Sequence, residues 1–419
     1  MDERVRTAVS GMELRRYRVI QEVIDGRLTQ MDAAVKLALS VRQVRRILRQ
    51  VERKGLEGAV HGLVGKPGNR RTTAETETQI LDLWSAKYRA AGLNFTHFTE
   101  KLNEIEKVDI SKEKVRLLLR ARGVADQPLQ KGRKHRRQRP RRERFGDLVQ
   151  LDTSPHDWLG TGIEYHAVVA VDDATSKLLY LKLYEHDGTM PNMQAIRAII
   201  LKYGLPTGFY TDGAAWFKVT RHWEGSITRQ AKADTEYCTQ IERALDELGI
   251  ELIIAGSPQA KGRVERANGT LQDRLIAELS LQKIKTLDAA NAFIESNFIE
   301  DYNRRFSKDP QIPEQSFLPF LRKDKLDQFL CIRLNSQVQN DNTVSKSGRY
   351  KLQLLPTATR LSWAKAPVEV SLLLNGKTEV RHATTKQLIP HEVLNLEIPK
   401  EFKHPMILQS EPDIFIWSK

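Results

Sequence analysis

Between Lys131 and Arg144, nine of fourteen residues are lysine or arginine. A run of this kind repels itself and has nothing to bury, so no hydrophobic core can pass through it. The chain must fold on either side of residues 125–144, which read as a basic linker. At 419 residues, and about one domain per 150 residues, roughly three cores are expected. The run should be extended alone and order on a phosphate backbone, with Arg133, Lys134, Arg136 and Arg137 as contacts. A nuclear-localisation signal and a solvated linker with no ligand are the plainer readings of such a stretch.

The formal charge of +14 and a pI near 9.6 extend the argument to the whole chain, which favours a polyanionic partner. An anionic membrane would attract the same charge, but the helices lack a broad apolar face beside a lysine-rich one. The N-terminus is charged from Asp2 through Arg6, and no apolar run reaches the length of a signal or membrane segment. A cytosolic chain is expected. Cys238 and Cys331 lie far apart with no His-Cys cluster around them, so neither a disulfide framework nor a zinc site is indicated.

On the N-terminal side the period is helical. Leu14 to Ile24 is broken by Gly26, Gln30 to about Leu37 follows a Thr29/Asp32 capping pattern, and Ser40 can cap a third helix. In that helix Val44, Ile47, Leu48 and Val51 share one face, and Arg42, Arg45, Arg46 and Arg49 the other. Residues 1–58 thus read as a helix-turn-helix domain, with a small bundle bearing a solvated basic face as the equal alternative. A glycine-rich linker, Gly58 to Gly68, separates it from a second helical set over 70–124. There Glu75 to Tyr88, Thr96 to Ile105 and Ser111 to Arg122 are helices, and the last turns Lys112, Arg116 and Arg120 outward. Two helix-turn-helix units in tandem would suit a long stretch of DNA.

Beyond the basic run, strands at Leu148 to Asp152, Tyr165 to Val171, Leu178 to Tyr184, Gly208 to Thr211 and Glu251 to Ala255 are predicted. Helices are predicted at Asn192 to Tyr203, Thr235 to Leu248 and Lys261 to Leu279. Three strands in hairpin order, then helix, strand, helix, strand and helix, is the ribonuclease-H-like order. It puts Asp152 on the first strand, Asp212 at the end of the fourth and Glu265 on the last helix. On that helix Val264, Leu271, Leu275 and Leu279 can pack on the sheet, while Glu265, Asn268 and Gln272 share another stripe. A cluster of acids costs several kcal/mol in repulsion and desolvation, so it is kept chiefly where divalent cations neutralise it. Asp172 and Asp173 also follow an apolar strand, but a turn or capping role suits them better. His156 stands alone near the site and is assigned nothing beyond a DNA contact.

The segments around the three acids carry a resemblance. Val149-Gln150-Leu151-Asp152-Thr153, Phe209-Tyr210-Thr211-Asp212-Gly213 with Phe217, and Pro258-Gln259, Gly262, Glu265 and Asn268 resemble the DDE core of retroviral integrases and bacterial insertion-sequence transposases of the ISNCY type. An Asn usual after the second Asp is missing, Gln272 replaces a frequent basic residue, and Lys218 to Thr239 reads as an insertion. The resemblance implies an integrase catalytic core over 145–306, whose exit is Tyr302-Asn303-Arg304-Arg305-Phe306. It implies two Mg²⁺ or Mn²⁺ ions. One, held by Asp152 and Asp212, would activate water and later a DNA 3′-hydroxyl; the other, held by Asp152 and Glu265, would stabilise the leaving 3′-oxygen. Lys261, Arg263 and Arg266, with Asn268, are expected at the DNA, while Arg42, Gln43 and Arg46 read bases.

After residue 306 the period becomes two. Candidate strands at Leu352 to Leu355, Thr359 to Trp363, Val368 to Leu374 and Thr378 to His382, with turns at Ser347-Gly348 and Asn375-Gly376, suggest an SH3-like β-barrel over 331–391. It would bind DNA or serve structure and dimerisation; residues 392–419 have no assigned role. The expected activity is end-specific DNA transposition by a homo-oligomer acting on terminal repeats and target DNA. A catalytically silent DNA-binding regulator and a nuclease that cuts without joining are the rivals.

Overall fold

Residues 11–61, 72–124, 140–218, 238–255, 262–346, 350–358 and 360–396 are described by the structure, a computed structural model. Lys261, Pro258-Gln259, the basic residues Arg133, Lys134, Arg136 and Arg137, and most of the Lys218 to Thr239 insertion lie outside them. The chain divides into two units, Met1–Thr78 and Gln79–Lys419.

In the first unit each break between helices is set by local chemistry. Helix α1 (Gly11–Ile24) ends before Gly26, which takes a positive φ of 71°. Helix α2 (Gln30–Leu37) begins at Thr29, whose side chain accepts the Asp32 N–H, and stops at Ala38 in the left-handed region. Helix α3 (Val41–Lys54) begins with a full capping box of Ser40 and Gln43. Val19, Ile20, Ala33, Ala34, Val44, Val51 and Ala59 form the core. A Cβ on Gly58 would sit 2.3 Å from the Gln50 backbone, so the 3₁₀ turn Gly55–Ala59 closes onto α3 only with glycine there.

Helix α4 (Ala74–Leu83) runs into a π-helical turn, Trp84–Tyr88, and is followed by α5 (Phe95–Glu104) and α6 (Lys112–Ala121). Ile80, Trp84, Tyr88, Phe98, Leu102, Val115 and Leu119 share a core with Ala277 from far along the chain. The second helical set, expected as a second helix-turn-helix domain, shares this core with α9 of the catalytic region through Ala277.

That region is a five-stranded sheet of order β3-β2-β1-β4-β5. Strands β1 (Val149–His156), β2 (Tyr165–Asp172) and β3 (Leu178–Tyr184) are antiparallel, and β4 (Gly208–Thr211) and β5 (Glu251–Ile254) run parallel to β1. Alternation sorts the two faces. Val149 and Leu151 of β1, with Val168 and Ala170 of β2, pack beneath α7 (Thr189–Tyr203) and α8 (Gln240–Glu247). Ala167, Val169 and Val171 face α9 (Gly262–Leu281), α10 (Leu287–Phe293) and α11 (Ile299–Phe306), the last two joined by a π turn, Ile294–Phe298. This is the expected ribonuclease-H-like order.

After α12 (Leu326–Phe329) come β6 (Cys331–Gln337), β7 (Thr343–Lys346), β8 (Tyr350–Leu354), β9 (Pro367–Leu373), β10 (Thr378–His382), β11 (Leu388–Ile389) and β12 (His391–Leu396). They form two sheets, β11-β10-β9-β6 and β12-β8-β7, around one core, not a single closed barrel. The chain changes sheet at Pro390, which has no N–H to continue the β11 ladder. The stretch expected as a strand at Thr359 to Trp363 is irregular; Thr359 lies outside the described residues, and Trp363 is buried with its Nε1 donating to the Leu355 carbonyl at 3.1 Å.

Candidate active site

Because Val149 and Leu151 point to one core, Gln150, Asp152 and Ser154 point to the other side of the sheet, under α9. The parallel pairing of β1 with β4 aligns Val149 with Phe209 and Gln150 with Tyr210. Carried two residues beyond the paired positions, this register would set Asp152, midway along β1, level with Asp212, the residue just past the end of β4. Asp152 is half-buried, and its Oδ2 accepts a hydrogen bond from Asn268 Nδ2 of α9 at 2.9 Å. Asp212 is half-buried, and its Oδ1 accepts the Ala214 N–H at 3.0 Å, fixing the turn that sends Phe217 into the core. Glu265 lies three residues before Asn268, one turn along α9, and is exposed.

Hard carboxylate oxygen donors suit Mg²⁺ or Mn²⁺, so the donor set of Asp152, Asp212 and Glu265 fits such an ion. Among the described residues no three His, Cys, Asp or Glu side chains already stand as a metal-holding group. Asp152 lies on β1 and Asp212 just past the adjoining β4, and Glu265, exposed on α9, would have to approach them.

Two residues expected at the DNA are turned inward. Arg263 has a side chain only 8% exposed, and its NH1 donates to Asp173 Oδ1 at 2.7 Å. Its charge is taken up by a buried carboxylate rather than offered to a phosphate. Asn268 is also buried, on Asp152. Arg266 is exposed, with Nε on the Gly262 carbonyl at 2.7 Å. Asp172 holds the turn after β2: it accepts from the Thr175 N–H and hydroxyl and from the Gly146 N–H, and burial raises its pKa despite those bonds. His156 is exposed and meets Trp158 edge-on.

Arg42, Arg45, Arg46 and Arg49 lie exposed along α3, with Arg45 Nε on Gln30 Oε1 at 2.9 Å. The Oε1 of Gln43 accepts the Ser40 N–H at 3.1 Å, so the oxygen expected to read a base is engaged in capping. On α6, Lys112 is exposed and Arg116 is paired with Glu113.

Sequence reasoning assigned no role to Gln150 or Ser154, which bind α9, and gave Asp173 only a turn or capping role, whereas its Oδ1 accepts from both Gln150 and Arg263. The signal was present: alternate residues 150, 152 and 154 on a strand face α9 residues spaced by four, 264, 268 and 272. No helix among the described residues is long and apolar enough to cross a membrane.

A family model described as a helix-turn-helix domain matches residues 15–71. A chain of Sinorhizobium fredii (strain NBRC 101917 / NGR234), described as transposase y4bF, is 35% identical over 380 residues, covering 89% of this chain and 79% of that one. The transposase for insertion sequence IS1202 of Streptococcus pneumoniae is 30% identical over 332 residues, covering 72% and 70%. Among solved structures, the HTLV-2 integrase catalytic core in complex with magnesium aligns over 36% of this chain and 82% of its own at 17% identity and a TM-score of 0.26. A chain of the simian T-cell lymphotropic virus intasome in complex with PP2A regulatory subunit B56 gamma aligns over 76% and 99% at 14% and 0.29. Those structural overlaps are too slight to bear on mechanism. The sequence relatives share most of their length with this protein, and it belongs to the insertion-sequence transposases.

Proposed function

We propose that this transposase cuts the 3′ ends of its element and joins them to target DNA, using Asp152, Asp212 and Glu265 as divalent-metal ligands. The observation that supports this reading is the register of β1 on β4, which pairs Gln150 with Tyr210 two residues before Asp152 and Asp212, together with the Asn268 bond that ties Asp152 to the helix bearing Glu265. When bound, Mg²⁺ or Mn²⁺ would neutralise charge at the scissile phosphate and acidify the attacking water or hydroxyl, with two ions serving attack and departure. Asn268 holds one Asp152 oxygen and so orients the carboxylate toward Asp212. Arg266, at the mouth of the site, and Lys261, outside the described residues, supply positive charge for flanking phosphates.

In this reading the first unit reads element ends through Arg42, Arg45, Arg46 and Arg49, and residues 125–144 add affinity without sequence preference. Lys112 and Arg116 are secondary backbone contacts, the two-sheet C-terminal module adds DNA or subunit contacts, and the working form is a homo-oligomer on DNA in the cytoplasm.

The test is Glu265→Gln, which keeps size and removes one negative charge. End-DNA affinity by gel shift should survive, while Mg²⁺-dependent nicking and joining of the same DNA should be lost. Joining at near wild-type rate would remove Glu265 from the set. Unjoined but nicked products from the wild-type chain would favour a nuclease instead.

A further inference from the structure

We infer that β1 and α9 are locked in one axial register by a polar ladder, whose outer rungs are positioning residues for Glu265. This rests on the metal reading of Asp152, Asp212 and Glu265. At one end Gln150 Oε1 accepts the Val264 N–H at 3.1 Å, and Gln150 Nε2 donates to Asp173 Oδ1 at 2.6 Å, the oxygen that Arg263 also binds. In the middle Asn268 binds Asp152. At the other end Gln272 Nε2 donates to Ser154 Oγ at 3.2 Å.

The spacing explains why three rungs can form together. Alternate strand residues are about 6.6 to 6.8 Å apart, and four residues of helix advance about 6.0 Å. Over two steps the mismatch is on the order of 1.5 Å, within the reach of glutamine, asparagine and serine side chains. Sliding α9 by a single residue would rotate it by about 100° and break all three rungs. The apolar face, Val264, Leu271, Leu275 and Leu279, provides adhesion, but hydrophobic contact is non-directional and tolerates small slips. Hydrogen bonds do not.

The inner end is the stiffer. Gln150 and Asp173 are fully buried, and the Val264 N–H is one of the first-turn donors that no helix carbonyl can satisfy. Arg263 lies two residues before Glu265, so this pin ties the first turn of α9 to β1 and to the turn after β2. Gln272 is neutral and gives a phosphate no charge to pair with; its amide holds the next turn beyond Asn268. Between the pins, Glu265 has one axial position and one azimuth from which to reach the strand carboxylates.

The experiment compares Gln272→Met, Ser154→Ala, Ser154→Thr and Gln150→Met in the full chain. Melting temperature, Mn²⁺ affinity of DNA-free protein by electron paramagnetic resonance, and kcat and KM for nicking would be measured on each. Gln272→Met and Ser154→Ala should leave melting nearly unchanged, weaken Mn²⁺ binding roughly tenfold and lower kcat by a similar factor, with KM for DNA unchanged. Ser154→Thr keeps the hydroxyl and should restore both. Gln150→Met strands a buried N–H and should lower melting and Mn²⁺ affinity together, so the decision rests on the outer rung. Unchanged Mn²⁺ affinity and kcat would overturn the inference, as would a rise in KM alone, which would make Gln272 a DNA contact. If the wild-type chain takes up no Mn²⁺ that Asp152→Asn abolishes, the metal reading fails and this inference falls with it.

Discussion

Helices α2–α3 and α5–α6 are built with the same local devices and end in different service. Thr29 and Ser40 cap the first pair; Asn94 and Ser111 cap the second, each accepting an N–H of the first turn. In the first unit the long side chains of α3 stay at the surface, and an ion pair such as Lys36–Glu22 is roughly half exposed on both sides. In the second set α5 directs its polar groups onto α9 and α11. His97 and Lys101 meet Glu278, Asn94 meets Asp273, Arg274 binds Glu100, and Arg305 bridges Glu100 and Glu104. Charge along a helix therefore does not distinguish a DNA-reading surface from an internal seam. What distinguishes them is whether an opposite charge waits on a neighbouring element.

The sharpest way to break this comparison is Glu278→Ala. It removes the acid from a seam where His97 is 3% and Lys101 14% exposed at the side chain, and about 3 kcal/mol of stability should go, read by denaturant melting. Lys36→Ala in the first unit should cost no more than about 1 kcal/mol. Equal costs would erase the distinction between seam and surface.

A smaller effect is expected at the surface arginines. Arg42→Ala or Arg46→Ala should lower the preference for element ends over random DNA by about 1 to 3 kcal/mol, measured by competition gel shift. Lys112→Ala should weaken both DNAs alike and reduce the salt slope by about 0.9. A loss of preference from Lys112→Ala would restore the second helical set as a reader of bases.

The smallest effect is the acid response of the seam. Burial pushes the Glu278 carboxyl upward, but the bonds from His97 and Lys101 outweigh it, and its pKa falls below the ordinary value. Glu100 is lowered likewise, its burial outweighed by Arg274 and Arg305. A carboxyl with a depressed folded-state pKa stabilises above its unfolded pKa, about 4.3, and that stability is lost as pH falls through the lower folded value. Protection factors along α5, measured against the intrinsic exchange rate at each pH, should fall from about pH 4 downward, and Glu278→Gln should flatten the dependence. An α5 protected equally at pH 3 and pH 7 would contradict the seam's electrostatic character.

Where local pattern was strong, the sequence reading and the structure coincide. Gln30 to Leu37, Leu178 to Tyr184, Gly208 to Thr211 and Thr378 to His382 have the expected bounds, because caps and two- or 3.6-residue periods act within a few residues. The π turn Trp84–Tyr88 leaves helical periodicity almost untouched and passed as ordinary helix. Strand Cys331–Gln337 and strand His391–Leu396 were missed, the latter because its exposed Val393 and Leu394 do not alternate cleanly with polar residues.

By itself the sequence determined the order of elements from β1 to α9, the face of α9 that packs on the sheet, and the placement of Asp152 on the first strand, Asp212 just past the fourth and Glu265 on a helix. Those properties follow from side-chain periodicity and from where acids can sit along a pattern of apolar residues. Only the tertiary structure decided which polar groups found one another. It turned Arg263 to Asp173 and Asn268 to Asp152, joined Gln272 to Ser154, and welded α5 to α9. A long polar side chain can reach several partners, and burial leaves it with the one that satisfies its hydrogen bonds; that partner can lie 90 or 181 residues away, where no local pattern records it.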